Sequence, residues 1–187
     1  MCRALQAQST TAIGQTPPLR RYPAIPLPRM IKVAIPRTAA EMDATRSILR
    51  EYAAALGVDL CFQGFEAELA ALPGAYVPPR GALLTARSNG VLAGCCALRP
   101  LDSVDYPNAC EMKRLYVRPQ FRGLGIGRLL ADAIMDCARQ AGYACVLLDT
   151  LSDMETARAL YQGLGFEEIP PYYHNPISGS HYLKAKL

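Results

Sequence analysis

The chain has 187 residues, 51% of them hydrophobic and 19% charged, the make-up of one folded domain with its own core rather than a fibrous or low-complexity protein. The net charge of +4 sits at the start: Arg3, Arg20, Arg21 and Arg29 stand in residues 1–30 without an acid, leaving 16 of the 20 Lys and Arg against 16 Asp and Glu in residues 31–187. A formally neutral body excludes a nucleic-acid footprint, and apolar runs far shorter than a bilayer exclude a spanning helix and a membrane role.

Residues 1–30 hold five prolines and no periodicity, so disorder is expected there. They lack the apolar stretch of a secretory signal. Arginines without acids hint at an organelle address, but the prolines oppose an amphipathic helix. A natural start at Met30 is the favoured reading. Ile31 to Ile35 reads as a strand. Thr38 and Glu41 make a capping box, opening a helix whose Met42, Ile48, Leu49, Tyr52, Ala53 and Leu56 share one face and which Gly57 ends. A short helix is expected over Phe62 to Leu72, and Pro73-Gly74 and Pro78-Pro79 break the segment after it. Leu83 to Arg87 and Val91 to Leu98 flank Ser88-Asn89-Gly90, a hairpin signal. Leu101 to Asn108 is a loop and Ala109 to Val117 a strand.

After a glycine-rich turn, Arg128 to Ala141 is amphipathic, with Leu129, Leu130, Ala133, Ile134, Cys137, Ala138 and Ala141 on one stripe and Gly142 at its end. Ala144 to Leu148 is nearly continuous in apolar residues, as in a strand buried on both faces in a parallel pairing. Strand, helix and strand form one crossover unit, expected to be right-handed. Ser152 and Glu155 suggest a second capping box. The helix it opens carries Met154, Ala157, Leu160, Tyr161 and Leu164, and ends near Gly163 and Gly165. Phe166 to Ile169 and His181 to Lys186 read as closing strands around a loop rich in Tyr, Pro and Gly. No repeat or second domain is visible, so residues 31–187 form one domain.

The seven cysteines are odd in number and show no metal-ligand spacing. Most lie in apolar contexts, where cysteine acts as a small hydrophobe. A reducing compartment, the cytoplasm, is expected. His174 and His181 fall outside any ligand pattern, and no metal is expected.

The turn Arg122-Gly123-Leu124-Gly125-Ile126-Gly127 carries the chemistry. Glycines between a strand and a helix leave backbone amides uncovered, and the helix start adds its positive dipole end, so a pyrophosphate is the natural ligand. A nucleotide P-loop fails, because Arg128 and Leu129 follow Gly127 where Lys and Ser or Thr are needed. A dinucleotide fingerprint fits poorly, since the spacing is G-x-G-x-G. A purely structural tight turn remains open on the triplet alone.

Glu111-Met112-Lys113-Arg114-Leu115-Tyr116-Val117-Arg118-Pro119, the glycine turn, and Ala157-Arg158-Ala159-Leu160-Tyr161 with Gly165-Phe166 together closely resemble the GNAT superfamily of N-acetyltransferases. The turn matches that family's Q/R-x-x-G-x-G/A signature at Arg122, Gly125 and Gly127. A-x-x-L-Y-x-x-x-G-F matches at Ala157, Leu160, Tyr161, Gly165 and Phe166. The resemblance runs through residues 31–187 in element order and is sharpest over 111–166. It implies an α/β fold with a mixed, mostly antiparallel sheet flanked by about four helices.

It also implies acetyl-coenzyme A as acyl donor, its pyrophosphate on the amides of Arg122, Gly123, Leu124, Gly125, Ile126 and Gly127, with Arg128 and Ala157 beside it. The pantetheine arm would pair with Leu115, Tyr116 and Val117 as an added strand does, and the amide near Val117 would polarise the thioester carbonyl. Glu111 stands where histone-acetylating members carry their base. Its alternative role is a structural carboxylate paired with Lys113 on the same strand face. Tyr161 matches the tyrosine that reprotonates the departing thiolate. Many members carry an amide where this chain has Met154, so one contact to the cofactor is absent.

Phe62, Phe65, Tyr76, Tyr172, Tyr173 and Asn175 are candidates for the acceptor site, which would suit a small-molecule or peptide amine. Homodimerisation is left open. Cys110 is discounted as a ping-pong nucleophile for want of a partner histidine. Two other functions stay open: a catalytically silent acyl-coenzyme A binder, and a dinucleotide-dependent oxidoreductase.

Overall fold

Seven strands between Ile31 and Lys186, the central ones buried on both faces, build one sheet. The computed structural model describes residues 30–187, so the reading of residues 1–29 lies outside the described residues. The strands are β1 (Ile31–Ala34), β2 (Ala82–Ser88), β3 (Val91–Leu101), β4 (Ala109–Val117), β5 (Cys145–Leu151), β6 (Glu167–Ile169) and β7 (Ser180–Lys186), in the spatial order β1-β2-β3-β4-β5-β7-β6. Every neighbouring pair is antiparallel except β4 with β5. Four α-helices accompany them: α1 (Ala39–Leu56), α2 (Phe65–Ala71), α3 (Ile126–Gln140) and α4 (Glu155–Gln162). This is the mixed, mostly antiparallel α/β architecture expected.

The helices lie on both faces of the sheet. On one, Ile126, Leu130, Ile134 and Ala138 of α3 and Tyr161 of α4 pack against Leu84, Cys96, Met112, Val146 and Leu183. On the other, Ile48 and Leu49 of α1 and Phe65 and Leu69 of α2 cover Leu83, Cys95, Ala97 and Tyr116. A third, smaller cluster gathers Ala109, Cys145 and Leu147 under Leu101, Val104, Tyr106, Ile169 and Tyr172. Between the second and third clusters the sheet face is polar.

The first capping box forms as read: Thr38 Oγ1 accepts from the Glu41 amide and Glu41 reaches back to the Thr38 amide. Asn89 and Gly90, both with positive φ, turn the β2–β3 hairpin. Three expectations need correction. The helix over 62–72 is split at Gly64, whose φ of +68° ends a 3₁₀ turn at Cys61–Gln63 before α2 begins. In α3 the buried line is Ile126, Leu130, Ala131, Ile134, Met135 and Ala138, while Leu129 is 44% exposed. The helix starts two residues earlier than its stripe suggested, and its axis lies rotated on the sheet.

The second capping box is absent. The N-cap of α4 is Met154, with no side-chain cap. Ser152 Oγ donates instead to the Gly179 carbonyl and lies 3.0 Å from His181 Nε2, whose ring meets Glu168. The turn after β5 is thereby fastened to β6 and β7, and the hydroxyl is not available to the helix.

Candidate active site

The parallel ladder between β4 and β5 is short. It joins Ala109, Cys110 and Glu111 to Cys145, Val146 and Leu147 and then ends. Beyond it, residues 112–117 pair only with β3, and residues 148–151 only with β7. Two strands that part in mid-sheet leave a V-shaped gap lined by unpaired backbone groups, which invites an extended guest to complete the ladder. Leu115, Tyr116 and Val117 line one arm of this gap, and Glu111 sits at its apex.

A β-bulge widens the gap. Tyr116 pairs with Cys95 and Lys113 with Ala97, so Arg114 and Leu115 together oppose Cys96. Arg114 takes a φ of +60° to do so, a conformation costing a non-glycine residue about 1–2 kcal/mol. The bulge turns Lys113 and Arg114 to the same face, where strict alternation would have sent Arg114 into the α3 side. There Arg114 Nε and Nη2 donate to the two Glu68 oxygens at 2.9 and 2.7 Å, and Nη1 donates to Gln63 Oε1. Its guanidinium lies over the rings of Phe65 and Tyr52. Nothing in the spacing of the sequence signalled this buried fork.

Glu111 is 1% exposed. Its Oε2 accepts from Arg99 at 2.7 Å, its Oε1 accepts from the Tyr172 hydroxyl at 2.9 Å, and Lys113 Nζ stands 3.8 Å from Oε1. The anticipated Lys113 partner is therefore present, but it is the weakest of three. Burial, and then the charge of Glu111, pushes the Tyr172 phenol up, so it stays a donor. Asp149 of β5 is half-buried on this same face. It accepts from Asn175 Nδ2 at 3.3 Å, and its charge acts on Lys113, Tyr172 and Tyr173. Sequence reasoning passed over Asp149. The available signal was a carboxylate inside the apolar run of a central strand.

At the open end of the gap lies the glycine turn. Gly123 and Gly125 adopt φ of +74° and +76°. Gly125 is the N-cap of α3 and offers no side-chain cap. The first helical bond runs from Leu129 to the Gly125 carbonyl, and among the described residues the amides of Gly123, Leu124, Gly125, Ile126, Gly127 and Arg128 have no acceptor. The Arg122 amide, by contrast, donates to the Pro119 carbonyl at 3.2 Å, because a 3₁₀ turn at Pro119–Phe121 precedes it. Six open amides at a helix start make an anion-binding concavity. The Arg128 side chain pairs with Asp132 and donates to the Gly163 carbonyl, tying α3 to the end of α4. Ala157 packs against the α3 side of the core.

Tyr161 is 6% exposed and tilts against Phe166 at 5.7 Å between centroids. Its hydroxyl has no hydrogen-bond partner among the described residues. No buried side-chain oxygen or nitrogen there lacks one, so the hydroxyl keeps a small accessible surface. Burial pushes its phenol well above the ordinary range, and the proton stays in place. Of the acceptor-site candidates, Tyr172, Tyr173 and Asn175 gather beside Glu111 and Asp149. Tyr172, Tyr173 and Tyr182 form a ring cluster with centroids 5.3–5.5 Å apart. Phe65 and Tyr76 lie inside the core, and Phe62 is 40% exposed on the 3₁₀ turn before α2.

Residues 45–166 match the acetyltransferase (GNAT) family. An uncharacterised N-acetyltransferase of Schizosaccharomyces pombe is 38% identical over 161 residues, covering 86% of this chain and 97% of that protein. An acetyltransferase of Streptococcus agalactiae superposes with a TM-score of 0.69 at 21% identity, over 84% of this chain and 98% of that one. The PaiA N-acetyltransferase of Thermoplasma acidophilum, solved in complex with coenzyme A, superposes with a TM-score of 0.63 at 15% identity, over 84% and 99%. The dinucleotide alternative falls with these matches and with a sheet in which β4 and β5 are the one parallel pair among the described strands, since a dinucleotide fold is built on a mostly parallel sheet. The parted strands, the uncapped glycine turn and these likenesses have one meaning: the chain is an acyltransferase and belongs to the GNAT family.

Proposed function

We propose that the protein moves the acetyl group of acetyl-coenzyme A directly to a primary amine of a small molecule or peptide. The observation that carries this reading is the gap between β4 and β5, which has open amides at its mouth and Glu111 at its apex. The pyrophosphate occupies the amides of Gly123 to Arg128. The pantetheine arm lies along Leu115 to Val117 and brings the thioester to the bulge. A lysine-like amine, with a solution pKa of ~10.4, must lose a proton before it attacks. Glu111 takes that proton directly or through a water, and Tyr161 returns one to the departing thiolate. The coenzyme A bound by the Thermoplasma relative supports the donor assignment.

Asp149 is a second reading for the base. Glu111 already holds Arg99, whereas Asp149 is more exposed and its hydrogen-bonding neighbours are neutral. Separate Glu111→Gln and Asp149→Asn enzymes decide between them. A positioned base contributes roughly 10²–10⁴ in rate, so Glu111→Gln is expected to lower kcat about 10²-fold and to shift the alkaline response of turnover. An unchanged pH profile in that enzyme, with the loss appearing in Asp149→Asn, transfers the role to Asp149.

The cofactor site has its own test. A Cβ added at Gly125 meets no atom within 4 Å, so the strain of a substitution there lies in the left-handed torsion. Gly125→Val is expected to lose about 2 kcal/mol of stability and at least tenfold in coenzyme A affinity by calorimetry. Undiminished affinity removes the turn from the site.

A further inference from the structure

We infer that Lys113 is itself an acceptor: the enzyme transfers one acetyl group to its own Lys113 Nζ when no better amine occupies the site. This inference rests on the acetyl-transfer reading above. Of the chain's four lysines, Lys32, Lys113, Lys184 and Lys186, only Lys113 is buried, its side chain 5% exposed. It lies on the arm of β4 that parts from β5, one residue before the bulge, and on the same sheet face as Glu111 and Asp149.

A buried lysine is ordinarily tied down by a close carboxylate or several carbonyls. Here the nearest partner is Glu111 Oε1 at 3.8 Å, and Nζ makes no hydrogen bond among the described residues. No buried nitrogen there lacks a partner, so Nζ keeps some accessible surface, and it does so beside Glu111 at the apex of the gap. An acceptor must present an amine beside a carboxylate on this face, and Lys113 already holds one there. Burial pushes its ammonium below the ordinary lysine range, the charges of Glu111 and Asp149 opposing that effect only in part, which favours the neutral nucleophile.

The step balances with acetyl-coenzyme A as sole co-reactant. Neutral Nζ attacks the thioester carbonyl carbon, the N–C bond forms and the C–S bond breaks. The proton released from nitrogen passes to the neighbouring carboxylate, and the thiolate leaves as coenzyme A once protonated. The product is a neutral amide in place of the cation beside Glu111. It fills the acceptor side of the gap and slows transfer to outside amines.

The test is peptide mapping of the full chain after incubation with isotope-labelled acetyl-coenzyme A and no added amine. The expected result is one acetyl group per chain, at Lys113, with Lys32, Lys184 and Lys186 at least tenfold less modified. Its first-order rate should be independent of protein concentration over a tenfold dilution. Lys113→Arg should take up none while still binding coenzyme A. Labelling spread evenly over the four lysines overturns the inference, as does an unlabelled Lys113 in a protein that binds coenzyme A and acetylates added amines. Failure to bind coenzyme A by calorimetry instead overturns the acetyl-transfer reading, and this inference with it.

Discussion

Replacing Arg114 with methionine is expected to remove about 3–5 kcal/mol of folding free energy, the range found when one member of a buried ion pair is lost. The Arg114 side chain is 2% exposed, and its guanidinium satisfies both Glu68 oxygens and Gln63. Methionine fills much of the volume under Phe65 and Tyr52 but leaves the half-buried Glu68 carboxylate without its cation. Burial alone pulls the Glu68 carboxyl up, and the bonds from Arg114 outweigh it, so it is held below the ordinary range. A carboxyl depressed on folding adds stability above its unfolded pKa of ~4.3, and that stability fades as pH falls through the folded value.

In Arg114→Met the burial effect, the largest of all, is opposed only by the weaker Tyr76 hydrogen bond and the Lys113 charge. The same carboxylate then destabilises the fold at neutral pH, and mild acid should relieve part of the loss. With a total stability of roughly 5–15 kcal/mol for a domain, this variant sits near the threshold of folding. Urea denaturation at pH 7 and pH 5 checks the size and the sign. A second variant, Glu68→Leu with Arg114→Met, removes the orphaned charge and should recover at least half of the loss. A single-variant loss below about 1 kcal/mol would mean that the fork contributes little.

Tyr161→Phe is expected to separate chemistry from folding more cleanly than any other change. The ring packs against Phe166, and the hydroxyl has no hydrogen-bond partner among the described residues to lose, so stability should shift by less than about 1 kcal/mol. If the hydroxyl protonates the thiolate, kcat should fall about 10²-fold, with KM for acetyl-coenzyme A nearly unchanged. A more activated acyl donor, whose thiol leaves without a proton, should recover most of that rate. Full activity with ordinary acetyl-coenzyme A refutes the acid role and leaves Tyr161 a core aromatic.

The polar seam on which the acceptor site is built joins residues far apart in sequence. Arg99 and Glu111 face each other across β3 and β4, Tyr172 reaches them from the loop after β6, and Asp149 enters from β5. Spacing along the chain could place Glu111 and Lys113 on one strand face, because strand alternation is local. It could not show that Glu111 is fully engaged or that Lys113 is nearly unbonded, since both depend on which other strands and loops arrive. The bulge at Arg114 was equally hidden. Its sequence reads as an unbroken strand, and only the mismatch in register with β3 turns the arginine towards Glu68.

Local chemistry alone determined the first helix with its Thr38–Glu41 box, the Asn89-Gly90 hairpin and the anion-seeking turn at Gly123 to Gly127. Each of these is governed by backbone preferences and hydrogen bonds within a few residues. Tertiary structure decided where that turn is aimed, the early end of the β4–β5 ladder, the rotation of α3 that exposes Leu129, and the loss of Ser152 from its capping box. Those outcomes arise from competition between distant partners for the same surface or hydroxyl, and pairwise spacing in a chain carries no record of who wins.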